Sequence, residues 1–184
     1  MKRAGLLLVL AAVLVASACN SDPSKQPPKY RLEGSLGSVM DLGYDEARVL
    51  VAPTDISLLF VRIKPLGGTS EDGGVIDPMM MQGTSEDYPL RLGYRFDLEQ
   101  LDGGRLDLAE LDGNGNQRGV VSRTVQNDPR NTLPPLARGT LFFKEPLLPN
   151  AVVHGDFHVT FENGVEAASG RTAFSTSFTA RVQP

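Results

Sequence analysis

Thr172-Ala173-Phe174-Ser175-Thr176-Ser177-Phe178-Thr179-Ala180-Arg181-Val182, near the C-terminus, is the stretch that decides the fold. Thr172, Phe174, Thr176, Phe178, Ala180 and Val182 alternate with Ala173, Ser175, Ser177, Thr179 and Arg181. A period of two sends successive side chains to opposite faces, so the run predicts a strand with one face for a core and one for water. Leu92, Tyr94, Phe96 and Leu98 repeat the pattern against Gly93, Arg95 and Asp97. Val153, Phe157, Val159 and Phe161 repeat it against His154, Asp156, His158, Thr160 and Glu162.

Working outward, residues 47–52 and 56–63 are apolar on both faces, which places them near the middle of a sheet, joined by a turn at Pro53-Thr54-Asp55. Asp102-Gly103-Gly104, Asp112-Gly113-Asn114-Gly115-Asn116 and Asn163-Gly164 punctuate the chain with residues that tolerate positive φ in tight hairpins. After the N-terminal segment no run keeps helical apolar spacing beyond a short turn around Leu98–Leu101. About nine strands with frequent turns predict an all-β fold: an antiparallel two-sheet β-sandwich, or alternatively a partly closed β-barrel. A membrane-spanning barrel fits poorly, because Pro and Gly interrupt the strand faces too often.

The N-terminal segment reads as an address. Lys2 and Arg3 give a positive start, residues 4–15 form a nearly unbroken apolar run, and Ala16-Ser17-Ala18 lead into Cys19, the one cysteine. The run is far shorter than the roughly 20 apolar residues that a retained spanning helix needs. Small residues at the first and third positions also fit ordinary secretory cleavage of the A-x-A kind. Ala16-Ser17-Ala18-Cys19 resembles the lipobox of bacterial lipoproteins, although the usual Leu stands as Ala16 here. That resemblance implies cleavage before Cys19 and acylation of its sulfur. An unpaired thiol in an oxidising compartment is reactive, and thioether formation would remove it.

The expected organisation is therefore a signal peptide over 1–18, a lipidated Cys19 with a flexible tether over 19–28, and one β domain over 29–184. Residues 20–28, Asn-Ser-Asp-Pro-Ser-Lys-Gln-Pro-Pro, bury too little apolar surface to offset their ordering entropy. At about 3.3 Å per residue they would hold the domain up to roughly 30 Å from a bilayer. Asn20, directly after the cysteine, fits outer-membrane delivery in the enterobacterial sorting pattern, which would make the membrane the first partner.

Subtracting Lys2 and Arg3 from the 18 basic residues leaves 16 against 22 acidic, a formal charge of −6. Phosphate binding draws on clustered Lys and Arg, so nucleic acid is not an expected partner. No G-x-S-x-G elbow, H-E-x-x-H pair or phosphate-binding glycine loop occurs. Neither catalysis nor a cofactor is expected.

Three constellations suggest binding. Gly68-Thr69-Ser70-Glu71-Asp72 recurs as Gly83-Thr84-Ser85-Glu86-Asp87, and the copies read as two solvated turns. Glu71, Asp72, Glu86 and Asp87, with Asp77, would be oxygen ligands if calcium bound there. Asp112, Asn114 and Asn116 have the spacing that opens an EF-hand loop, but Gln117 and Arg123 occupy its sixth and twelfth positions, leaving a hairpin turn. His154, Asp156 and His158 share a strand face and form the candidate metal site, for Zn²⁺. The competing reading of that row is a solvated face.

Gly139-Thr140-Leu141-Phe142-Phe143, the run from Val153 to Gly164, Phe174 and Phe178, with Cys19 and the early strand region Leu36–Leu42, resemble uncharacterised envelope lipoproteins abundant in myxobacteria. The resemblance covers most of the chain beyond Cys19 and implies no catalytic residues. It implies a non-enzymatic envelope lipoprotein presenting its β domain to another protein or to an envelope polysaccharide, through an acidic excursion at 65–89 and a proline-containing loop at 126–137. The alternatives are a metal-binding periplasmic lipoprotein and a carrier of small ligands or lipids, which would need an apolar cavity.

Overall fold

The computed structural model describes residues 27–65, 84–96, 104–128 and 133–184. Within them run ten strands: β1 (Tyr30–Arg31), β2 (Gly43–Tyr44), β3 (Glu46–Val51), β4 (Asp55–Pro65), β5 (Thr84–Arg95), β6 (Arg105–Asp107), β7 (Gly119–Thr124), β8 (Leu136–Phe143), β9 (Val152–Phe161) and β10 (Thr172–Val182). The all-β expectation holds. β1 and β2 form a small ribbon, and the other eight form one sheet in the order β6-β8-β9-β10-β3-β4-β5-β7. That sheet curls until its ends nearly meet, so its two halves face one another across a shared core.

Two meanders build the sheet. β3-β4-β5-β7 and β6-β8-β9-β10 are antiparallel throughout. The seam between them departs from the antiparallel expectation: β10 lies parallel to β3, with Ala180 opposite Ala47 and Val182 opposite Val49. No hairpin links these two strands, so their direction is set by where the second meander docks. At the other seam Leu108 bridges the halves. Its N–H donates to the Gly139 carbonyl at 2.8 Å while its carbonyl accepts the Gly119 N–H at 2.9 Å. Gln117 adds a side-chain imitation of strand pairing, donating to the Leu136 carbonyl and accepting the Leu136 N–H at 3.0 Å.

Alternation predicts β9 faithfully. Val153, Phe157, Val159 and Phe161 are buried, and His154 and His158 are exposed. In β10 the period breaks. Ser175 pairs with Phe157 and Phe178 with Gly155, so two residues of β10 oppose Asp156 alone, a β-bulge. One extra residue reverses the faces on its N-terminal side. Ala173 is therefore inside and Phe174 outside, which corrects the even alternation expected from Thr172 to Val182. β5 carries a similar irregularity at Tyr88-Pro89, where its registers to both β4 and β7 shift. Pro89 has no N–H for a ladder, and a bulge is where a sheet interior accepts it.

Phe60 lies at the centre of the core, with ring centroids 4.9 Å from Tyr44, 5.3 Å from Phe157 and 6.2 Å from Phe178. Leu58, Leu90, Leu92 and Leu141 are fully buried in the same cluster. The segment before β3 also packs into this core. The early stretch expected as a strand is instead a 3-10 turn over Ser35–Ser38, and Leu36, Met40 and Leu42 are buried. Ser38 Oγ donates back to the Ser35 carbonyl at 2.8 Å, closing the turn. Arg171 donates to Ser38 Oγ at 2.9 Å, and the Thr172 N–H donates to Ser35 Oγ at 3.0 Å, fastening the turn to the start of β10.

Candidate functional surfaces

His154, Asp156 and His158 occupy the outward face of β9, as alternation requires. The two histidine side chains are engaged separately. The Glu145 carboxylate accepts the His154 N–H at 2.6 Å and lies 3.1 Å from its Nδ1. Those contacts, led by the backbone N–H, hold the Glu145 carboxyl below its ordinary range. His158 stacks on Phe174, centroids 5.7 Å apart with 26° between the planes. Asp156 lies opposite Phe142 on β8 and the bulge on β10. Among the described residues no three His, Cys, Asp or Glu side chains gather closely enough to hold a metal ion.

Of the repeated pentapeptide, the first copy lies outside the described residues, as does Asp77, and so does Cys19. The second copy is not a turn: Thr84, Ser85, Glu86 and Asp87 open β5 and pair with residues 62–65 of β4. Strand alternation puts Glu86 and Asp87 on opposite faces, which removes them as joint ligands of one ion. Glu86 faces outward, receiving Arg48 Nη2 at 2.8 Å and the Tyr88 hydroxyl at 2.9 Å. Those two donors hold its carboxyl below the usual range. Arg48 also pairs with Glu46, and these contacts push the guanidinium pKa up.

Asp87 faces inward and is 3% exposed. It pairs with Lys64 and accepts the Gln126 N–H at 2.8 Å. Beside it in the sheet, Arg123 is buried and paired with Asp128 at 2.6 Å. Buried charges persist when their partners are present, and here the pairs link the end of β4 and the start of β5 to the segment that follows β7. Nearby, burial acts to raise the Asp41 carboxyl, but the Gly43 N–H, Arg62 and Arg31 outweigh it and hold the pKa below its ordinary value.

The Asp112 turn is a closed hairpin tip. The Asp112 carboxylate accepts the N–H groups of Asn114 at 2.8 Å and Asn116 at 2.9 Å, an Asx arrangement that uses the oxygens a cation would need.

Strand directions divide these features between two ends. The chain reaches the domain with Pro28 against Gly43 and the Lys29 N–H donating to Asp45, directly before β3. The ends of β4, β7 and β9 and the starts of β5, β8 and β10 share that end. At the far end lies an apolar rim that alternation did not single out. Leu50 and Val51 close β3, Val152 opens β9, and Leu148 precedes it; they are 41%, 43%, 47% and 63% exposed. β10 lies between, with Arg181 opposite both Val152 and Arg48, and Gln183 donating to Val49. A signal was present: Val49-Leu50-Val51 and Val152-Val153 place consecutive apolar residues on strands, so at least one of each must face outward.

No known protein family, curated protein sequence or solved structure matches this chain.

Proposed function

We propose that this chain is a non-enzymatic bacterial envelope lipoprotein, anchored through acylated Cys19 in the outer membrane, that presents its β domain to a protein partner. The observation that carries the partner reading is the apolar rim of Leu50, Val51, Leu148 and Val152. It lies at the end of the sheet away from Lys29 and Asp45, near which the described chain begins. Exposed apolar residues grouped at one end of a domain suit contact with another protein. A single acyl chain binds a membrane only marginally, so the anchor this reading requires is di- or triacylated.

Two measurements test it. The intact mass of the envelope-extracted protein should include two or three acyl chains absent from Cys19→Ala; an unmodified chain beginning at Met1 or Cys19 overturns the anchor. Crosslinking in intact envelopes should yield a defined partner adduct that a Leu148→Asp, Val152→Asp variant loses while its thermal midpoint stays near the parent. Retention of the adduct overturns the rim.

A second reading, an envelope polysaccharide partner, is favoured by the outward rings of Phe174 and His158 beside Thr140 and Thr160. Pelleting with purified sacculi that is abolished by Phe174→Ala supports it, and pelleting that persists removes it.

A further inference from the structure

The sequence contains two Asn-Gly pairs, Asn114-Gly115 and Asn163-Gly164, in two exposed turns. Chemically they are alike. An Asn followed by Gly is the pair most open to loss of its side-chain amide, because the unsubstituted Gly lets its backbone nitrogen approach the Asn side-chain carbonyl. The fold treats the two differently.

At the first pair the backbone nitrogens around the reacting groups are held. The Gly115 nitrogen, which would be the nucleophile, donates its hydrogen to the Asp112 carbonyl at 3.0 Å. The Asn114 N–H donates to the Asp112 carboxylate at 2.8 Å, and the Asn116 N–H to the same oxygen at 2.9 Å. Gly115 sits at φ +82°, fixed by this network. The same N–H donors hold the Asp112 carboxyl below its ordinary range.

At the second pair the bonds are made around the site and not at it. Phe161 pairs with Arg171, Gly170 donates to the Glu162 carbonyl at 2.9 Å, and Ser169 donates to the Glu166 carbonyl at 3.0 Å. These close the loop from Glu162 to Arg171 and leave the Gly164 nitrogen without a hydrogen-bond acceptor among the described residues. Asn163, Gly164 and Val165 are all exposed, so water reaches both reacting groups. The Asn163 side-chain oxygen lies against Gly170, where a β-carbon would come within 2.7 Å of it, and Ser169 Oγ is buried with no hydrogen-bond partner among the described residues.

We propose that Asn163 is a site of spontaneous deamidation in the folded protein and that Asn114 is protected. The Gly164 nitrogen bonds to Asn163 Cγ, the bond from Cγ to the amide nitrogen breaks, and ammonia leaves with the Gly164 proton. Water then opens the five-membered imide at its side-chain carbonyl to give aspartate, or at its main-chain carbonyl to give isoaspartate. Nothing is oxidised or reduced. The product adds one carboxylate to a loop that already carries Glu162 and Glu166, beside Arg171, whose guanidinium fastens the 3-10 turn through Ser38.

The test is peptide mass mapping of the full chain in detergent, held at mildly alkaline pH and sampled over weeks, beside the same protein in concentrated urea. In the folded protein the peptide carrying Asn163 should gain the mass of an amide-to-acid exchange several-fold faster than the peptide carrying Asn114. In urea the two rates should converge. Asn163→Gln should abolish the fast conversion, and Asn114→Gln should leave it. An intact Asn163, an equally fast Asn114 in the folded protein, or the same difference in rate in urea overturns the proposal.

Discussion

Phe174 stacks on His158 outside the domain, while Phe178, four residues on in the same strand, is buried against Phe60 and Phe143. Both occupy even positions of one alternating run. The bulge between Ser175 and Phe178 separates their fates, so the two phenyl rings should differ sharply in energetic weight. Phe178→Ala should cost about 3–5 kcal/mol, as removal of a fully buried aromatic ring does. Phe174→Ala removes a partly exposed stacking contact and should cost about 1 kcal/mol. Urea midpoints of the two variants check this, and equal losses would mean that the bulge does not reverse the faces.

The seam at Leu108 depends on a residue without a side chain. A β-carbon on Gly119 would lie 2.3 Å from the Leu108 carbonyl oxygen and 2.6 Å from its Cα, both backbone atoms that cannot rotate aside. Gly119→Ala should therefore part the seam, costing at least the roughly 1–3 kcal/mol of overpacking. Hydrogen exchange at the Leu108 and Gly119 amides should accelerate more than exchange in β9.

Gln117 supplies both partners of the Leu136 backbone. Gln117→Ala should leave them without that pairing and cost about 1–3 kcal/mol. Faster exchange at the Leu136 amide than in the parent would be the local signature, and unchanged exchange would show that the side chain is incidental.

Acid should weaken the outer face of β3 to β5 and the end of the sheet beside Asp41 together. Glu86 is held below its ordinary 4.5, first by Arg48 and then by Tyr88. At Asp41 burial is the largest influence and acts upward, but the Gly43 N–H, Arg62 and Arg31 bring the net value below 3.8. A carboxylate with a depressed folded pKa contributes its stability fully above the unfolded value and loses it as pH falls through the folded one. Thermal midpoints should therefore hold from neutrality to about pH 5 and decline below it. Glu86→Gln should begin from a lower midpoint and decline less.

The repeated pentapeptide and the row His154, Asp156 and His158 show how far residue patterns reach. Alternation gave the faces of β9 completely, because nothing interrupts its period. It misread the second pentapeptide copy, since polar residues at a sheet end look like a turn until the partner strand is seen. Lys64, Asp87, Gln126 and Arg123 are distant in sequence, and only pairing brings them together.

By itself the sequence determined that this chain is all-β, that residues 47–63 lie near the middle of its sheet, and that the face carrying His154 and His158 points to water. Local periodicity and turn chemistry suffice for those properties. The tertiary structure decided the parallel seam of β3 with β10, the closure through Leu108 and Gln117, and the reversal of Phe174. Each depends on one extra residue or on one contact between segments remote in the chain, whose free energy exists only after both sides have folded.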